Sequence, residues 1–128
     1  MKPKFRAWTE EGKMMYYDVY PFKNDTLLLS YDEIAFDEVP ASDFIIMQST
    51  GLKDKNGKEI YEGDIVRYEC CFESYVEEVI YDDKHCNFGT IDKDEKTFSF
   101  DALISDFDVD CFEVVGNKYE NLELLGGK

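Results

Sequence analysis

Basic side chains are scarce in this chain of 128 residues, which has 14 Lys and Arg against 29 Asp and Glu and a formal net charge of −15. Nucleic-acid binding depends largely on Lys and Arg that displace counterions from phosphates, so we expect no direct binding to nucleic acid. The same deficit disfavours anionic membrane surfaces. Partners that carry positive charge are favoured at long range.

Long apolar runs are also missing. The longest apolar pieces, such as Phe44 to Met47, have the length of a strand and fall short of the ~18 residues of a membrane helix. The first residues, Met1 to Trp8, carry charge at both ends and have no apolar run behind them, which is unlike a signal or transit peptide. We therefore expect a cytoplasmic protein.

Cysteine and histidine are few, and their spacing matches neither a secreted disulfide scaffold nor a zinc site. The candidates are Cys70, Cys71, Cys86, Cys111 and the single His85. Adjacent side chains on a strand point to opposite faces, so Cys70 and Cys71 are not expected to hold one ion together. The neighbours His85 and Cys86 do not by themselves make a base and a nucleophile, because that requires geometry in space. Reduced structural thiols, with no metal and no cofactor, are the prediction.

Apolar residues make up 44% of the sequence and aromatic residues 16%, which is enough for a packed core. The length suits a single domain over residues 1–128. Alternating polar and apolar residues predict a mainly β fold of small twisted sheets, or a barrel-like domain, with a short C-terminal helical turn. The predicted strands are Lys4–Trp8, Met14–Val19, Thr26–Tyr31, Phe44–Gln48, Val66–Phe72, Tyr75–Tyr81, Phe88–Ile91, Thr97–Phe100 and Val109–Val115.

Several connections have their own sequence patterns. The acidic stretch from Asp32 to Asp43 predicts a loop with one helical turn. Asn56-Gly57 is typical of a two-residue turn with positive φ at both positions. Asn121 is placed to cap the terminal turn from Leu122 to Leu125.

Three carboxylates, Asp106, Asp108 and Asp110, resemble the start of a calcium-binding loop. That loop requires Gly at its sixth position and Glu at its twelfth, where this chain has Cys111 and Asn117, so the calcium interpretation fails. A weak magnesium site or a solvated strand face are the remaining alternatives. No catalytic, cofactor-binding or metal-binding residue is predicted.

Trp8, two residues after Arg6, lies on the first predicted strand. An exposed Trp and Arg pair is typical of a binding hot spot. The favoured interpretation is a tryptophan buried in the core or between subunits.

The run from Ile46 to Val66 closely resembles the hallmark of the YopX family of phage and prophage proteins. Two further segments agree in order and spacing, Lys4–Trp8 at the start and Glu113–Leu125 near the end. The chain departs from the family pattern at Lys118, where an apolar residue is usual, and at Leu122, where proline is usual. The resemblance implies a small phage-encoded cytoplasmic protein with no assigned molecular function and no catalytic residues to carry over. The family's description suggests a homo-oligomer, with a trimer as the suspected form.

These observations predict a non-enzymatic protein that binds a host or phage protein or assembles with itself. One alternative is an acidic mimic of nucleic acid that inhibits a host DNA-binding protein, since residues 97–117 contain five acids and no base. The other is a metal-assisted hydrolase that uses Asp106, Asp108 and Asp110.

Overall fold

The computed structural model of the protein describes residues 4–30, 35–107 and 111–125, and it is mainly β, as predicted. The strands are β1 Phe5–Thr9, β2 Met14–Pro21, β3 Thr26–Ser30, β4 Phe36–Pro40, β5 Ile45–Lys53, β6 Glu59–Tyr61, β7 Asp64–Cys70, β8 Glu73–Asp82, β9 Asn87–Ile91, β10 Thr97–Ser99 and β11 Glu113–Asn117. The helix α1 covers Phe100–Ser105, and 3₁₀ turns cover Ala41–Asp43 and Leu122–Leu125.

The strands form two antiparallel sheets, in the orders β4-β3-β2-β1-β5-β6 and β10-β9-β8-β7-β11. Among the described strands both sheets stay open, and the predicted C-terminal helical turn is confirmed at Leu122–Leu125. The chain divides into two compact units, Met1–Ser49 and Thr50–Lys128, so the single domain over 1–128 stays a prediction. The helical segments of the described residues are too short to span a lipid bilayer.

The core of the first unit lies on one face of its sheet. The buried side chains are Ala7, Val19, Leu27 and Leu29. The register pairs Val19 with both Phe5 and Leu29, which brings alternate residues of three strands to the same side. Tyr20, Leu28 and Glu38 form the next row of partners, and they lie on the opposite face.

The second unit has a larger and more aromatic core. Its buried residues are Ile60, Val66, Tyr68, Val79, Phe100, Leu103 and Phe112. Helix α1 starts because the Ser99 hydroxyl accepts a hydrogen bond from the Ala102 amide at 3.0 Å, which caps the first turn. The predicted strand over Thr97–Phe100 therefore ends one residue early, at Ser99. The centre of the Phe100 ring lies 5.1 Å from the centre of the Phe112 ring.

Two sequence predictions for the first half of the chain are wrong in part. Residues 36–40 form the edge strand β4 instead of a loop, although the predicted helical turn does follow at Ala41–Asp43. The segment Phe44–Gln48 is a strand, as predicted, but it is not buried throughout, because Ile45 and Ile46 are exposed while Met47 is buried.

A buried carboxylate, that of Asp54, organises the run from Ile46 to Val66. Its Oδ1 accepts hydrogen bonds from the amides of Asn56 at 2.9 Å and Lys58 at 2.8 Å. Its Oδ2 accepts from the amide of Val114 at 3.0 Å, sixty residues further along the chain. One side chain therefore closes the turn between β5 and β6 and ties it to β11.

The turn itself differs from the prediction. The amide of Gly57 donates to the carbonyl of Asp54 at 2.9 Å, and the Asp54 amide donates to the Lys58 carbonyl at 2.8 Å. Gly57 has φ +83°, whereas Asn56 is not among the described residues with positive φ. The loop is thus a three-residue turn with glycine in the left-handed position, and not a two-residue Asn-Gly turn.

The second turn of the same run fixes the start of β7. The Asp64 carboxylate accepts from the Tyr61 amide at 2.8 Å, and Gly63 between them has φ +85°. Gly63 donates to the Val79 carbonyl at 2.9 Å and accepts from the Lys118 amide at 2.8 Å. These bonds connect the turn to β8 and to the residue after β11.

Replacing Asp54 with Asn should lower the free energy of unfolding by about 1–3 kcal/mol, because an amide nitrogen cannot accept one of the three hydrogen bonds and leaves a buried amide unpaired. Urea unfolding measures this. Asp92→Asn is the matched control, since Asp92 accepts from the amides of Asp94 and Lys96 at 2.9 Å in an equivalent turn but has no described bond to a distant strand. Equal losses in the two variants would contradict the role assigned to the bond with Val114.

The stability of the protein should also depend on the ionisation of Asp54. The pKa of this carboxyl lies below its ordinary value: burial raises it, but the hydrogen bonds from Val114, Lys58 and Asn56 outweigh burial. A lowered folded-state pKa means that the unfolded chain binds more protons, so this contribution is complete above about pH 4 and is lost as the pH falls further. Unfolding measured between pH 7 and pH 3 should show a smaller decline in Asp54→Asn than in the wild type. A parallel decline would contradict the assignment.

Candidate functional site

The hairpin of β7 and β8 ends beside a cleft of about 310 Å³ in the second unit. Six of the residues that line the cleft are Tyr68, Cys70, Cys71, Tyr75, Glu77 and Phe107. Val66, Tyr68 and Cys70 share one face of β7, as the alternating pattern predicts, and Arg67 and Glu69 are exposed on the other. The strand therefore delivers a phenol and a thiol to the same side of the sheet.

The turn at the end of this hairpin has an unusual composition. Cys70 pairs with Glu73, so the two-residue turn consists of Cys71 and Phe72. Both have left-handed backbone, with φ +55° and +69°, a conformation that bulky side chains rarely adopt. Phe72 was predicted to share the buried face of β7, and this is wrong, because β7 ends at Cys70 and the Phe72 side chain is fully exposed.

The two adjacent thiols are brought together by this turn. The Sγ atoms of Cys70 and Cys71 lie 3.4 Å apart. The prediction that they point to opposite faces is wrong, since that rule holds within a strand and Cys71 has left the strand. The Cys70 thiol also contacts the carbonyl of Phe107 at 3.9 Å. Both cysteines are thiols in the structure.

A buried hydrogen-bond network forms the floor of the cleft. The Glu77 carboxylate, on β8, accepts from the Tyr68 hydroxyl at 2.6 Å and from the Thr90 hydroxyl at 2.8 Å. Burial, followed by the bond to Glu77, raises the pKa of Tyr68 well above its ordinary value. The phenol therefore stays protonated, and its hydrogen bond to Glu77 joins β7 to β8. The hydrogen bond from Thr90 joins β9 to the same carboxylate.

The other predicted candidates lie apart from this cleft. Asp106 is exposed at the end of α1, while Asp108 and Asp110 lie outside the described residues. Within the described ranges, no three His, Cys, Asp or Glu side chains gather as a metal site would require. Of the described acids in residues 97–117, Asp101 and Asp106 are exposed and Glu113 pairs with Arg67.

His85 and Cys86 lie in the turn between β8 and β9. The His85 Nδ1 lies 2.8 Å from the Asp82 carboxylate, and this hydrogen bond is the main cause that lowers the pKa of Asp82. The Cys86 thiol instead contacts the Asp83 carbonyl at 3.8 Å. His85 therefore contacts the carboxylate at the end of β8, three residues earlier in the chain.

Trp8 and Arg6 share the face of β1 opposite to Ala7. Both are buried, with 2% and 1% of their surface exposed, so the core interpretation of Trp8 is confirmed and the exposed hot spot is wrong. The indole Nε1 donates to Glu10 at 3.1 Å. The Arg6 guanidinium lies 5.9 Å from the centre of the Tyr17 ring.

Sequence reasoning missed an aromatic surface on the first unit. Tyr20 and Phe36 are about half exposed and meet edge to face with their ring centres 5.7 Å apart. The Tyr20 hydroxyl hydrogen-bonds Asp18, which raises the pKa of Tyr20, and Glu38 is exposed on the same sheet face. We call Asp18, Tyr20, Phe36 and Glu38 the aromatic–acidic surface. Its assembly depends on β4, the strand that the sequence pattern does not predict.

Comparison with known proteins identifies relatives. The sequence model of the family described as YopX protein matches residues 4–126. The chain is also similar to protein EF1440 from Enterococcus faecalis, for which a crystal structure is known. The two are 31% identical with a TM-score of 0.63, and the similarity covers 98% of this chain and 99% of the other. No functionally curated protein matches the sequence.

Thr90→Val should lower the free energy of unfolding by about 1–3 kcal/mol, because it removes a buried donor to Glu77 with little change of shape. Thermal or urea unfolding measures the loss. Thr97→Val is the control, since Thr97 is exposed and its hydroxyl lies 3.5 Å from its acceptor. If both variants unfold alike, the network does not stabilise the sheet.

Proposed function

Because the chain belongs to the YopX protein family, whose hallmark run serves to hold this fold together, we propose that it is a non-enzymatic protein-binding module. The observation that carries this proposal is the aromatic–acidic surface. In this proposal the partner is a host or phage protein of the bacterial cytoplasm, and no cofactor takes part.

The chemistry of the surface supports a basic partner. Exposed aromatic rings are enriched where proteins bind one another, and Tyr offers an apolar body with a polar end. Tyr20 and Phe36 present such rings to solvent, Asp18 is hydrogen-bonded to the Tyr20 hydroxyl, and Glu38 lies two residues after Phe36 on the same face of β4. Lys or Arg side chains would meet both a ring face and a carboxylate there.

The charge of the whole chain acts in the same direction. A net charge of −15 attracts basic partners at long range and raises the rate of encounter at low salt. Long-range attraction alone does not select a site, since acidic side chains occur throughout the sequence. The Tyr20–Phe36 ring pair supplies local contacts that net charge alone does not.

The edge strand β4 adds a limit on how a partner binds. It is the terminal strand of its sheet, and Asp37, Glu38 and Pro40 occupy it. Charged residues and proline on an edge strand discourage another strand from pairing there. We therefore favour side-chain contacts on the sheet face over strand addition, and over self-assembly through this edge.

Binding of a fluorescent arginine-rich peptide, followed by anisotropy, tests the proposal. Tyr20→Ser and Phe36→Ser should each weaken binding about three- to tenfold, because each removes a ring and leaves the net charge unchanged. Tyr81→Ser is the matched control, since Tyr81 is similarly exposed and makes an edge-to-face contact with Phe88 at 5.1 Å on the other unit.

Equal affinities of the wild type and all three variants would show that the peptide senses only net charge and would remove the support for this surface. Light scattering on the same samples distinguishes self-assembly. A concentration-dependent increase in mass that Phe36→Ser abolishes would identify a second copy of the chain as the occupant instead of a basic partner.

A further inference from the structure

Two thiols meet at the tip of β7 and β8: that of Cys70, which packs against the core of the second unit, and that of Cys71. The Sγ atoms of Cys70 and Cys71 are 3.4 Å apart, and Cys71 is exposed. Their approach depends on left-handed backbone at Cys71 and Phe72, a conformation that raises the free energy of the turn. A turn chosen only for stability would have Asn or Gly at these positions.

A disulfide does not suit this pair. Neighbouring Cα atoms are about 3.8 Å apart, whereas the residues of an ordinary disulfide have Cα atoms roughly 4.4–6.8 Å apart. Closing the bond would require the sulfur atoms to approach from 3.4 Å to about 2.05 Å within one strained ring. The dithiol is therefore the favoured form of the pair.

Chelation of one thiophilic centre does suit it. Two thiolates that bind one ion at about 2.3 Å with a tetrahedral angle lie roughly 3.8 Å apart, which small side-chain rotations provide from the observed spacing. The pair supplies two donors only, because the described residues contain no cluster of three or more His, Cys, Asp or Glu that could hold a metal. A structural zinc ion needs four, so the ligand must bring its remaining substituents with it.

The adjacent cleft has room for such a substituent. Its volume is about 310 Å³, and the rings of Tyr75, Phe98 and Phe107 line it together with both cysteines. We propose that Cys70 and Cys71 form a dithiol site for a thiophilic, trivalent metalloid centre that carries one organic group. The organic group occupies the cleft among these rings.

The chemistry of capture needs no oxidant. With an organoarsenic(III) oxide, the two thiols lose their protons, two arsenic–sulfur bonds form, and the oxygen leaves as water. The oxidation states of arsenic and sulfur do not change. A chelate of this kind is displaced by an added dithiol more readily than by a monothiol, because only the dithiol replaces both bonds at once.

Phenylarsine oxide is the probe, and mass spectrometry of the intact folded protein is the measurement. The wild type should take up about one phenylarsenic group per chain with loss of one water. 2,3-Dimercaptopropanol should release the group, and an equal thiol concentration of 2-mercaptoethanol should not. Cys71→Asn should bind phenylarsine oxide at least tenfold more weakly. The variant should stay folded, since Asn tolerates left-handed backbone. Cys86→Ser and Cys111→Ser should bind as the wild type does.

Uptake that survives in Cys71→Asn, or release by the monothiol as easily as by the dithiol, would overturn the proposal. Circular dichroism confirms the fold of each variant. This test is independent of the protein-binding proposal, because the thiols and the aromatic–acidic surface belong to different units of the chain.

Discussion

The carboxylate of Asp54 is the interaction on which the second unit depends most. It accepts hydrogen bonds from two amides of its own turn and from one amide of β11, so the same group fixes a local turn and a distant strand. The amide of Lys55 adds a bond to the Phe112 carbonyl at 2.9 Å, which holds that ring within the aromatic core. Buried backbone groups require partners, and here one side chain supplies several at once.

This arrangement explains why the most recognisable run of the chain has no catalytic role in our account. Gly57 and Gly63 occupy left-handed positions. The carboxylates of Asp54 and Asp64 accept hydrogen bonds from backbone amides in the same turns. These residue types are what the turns require. The functions that we propose involve residues outside the run, on the aromatic–acidic surface and at the tip of β7 and β8.

The sequence predicts the strands well where one face is buried, and β7 and β8 lie close to their expected positions. It misses β4, because an exposed edge strand with acidic residues and a proline carries no alternating pattern. The candidate sites were harder to predict than the strands. The Cys70–Cys71 contact follows from a turn at Cys71 and Phe72 that residue preferences disfavour, and the Tyr20–Phe36 contact requires the missed strand. Trp8 is buried, as predicted, although alternation places it with Arg6 on the face of β1 opposite to Ala7.

The most direct test of the central claim is an NMR titration of the Asp54 carboxyl carbon and the amides of Asn56, Lys58 and Val114. If one carboxylate holds all three amides, their resonances shift together with the Asp54 carbon, at a pH below the ordinary aspartate range. A Val114 amide that does not follow Asp54, or a carboxyl that titrates at the ordinary pKa, would contradict the account.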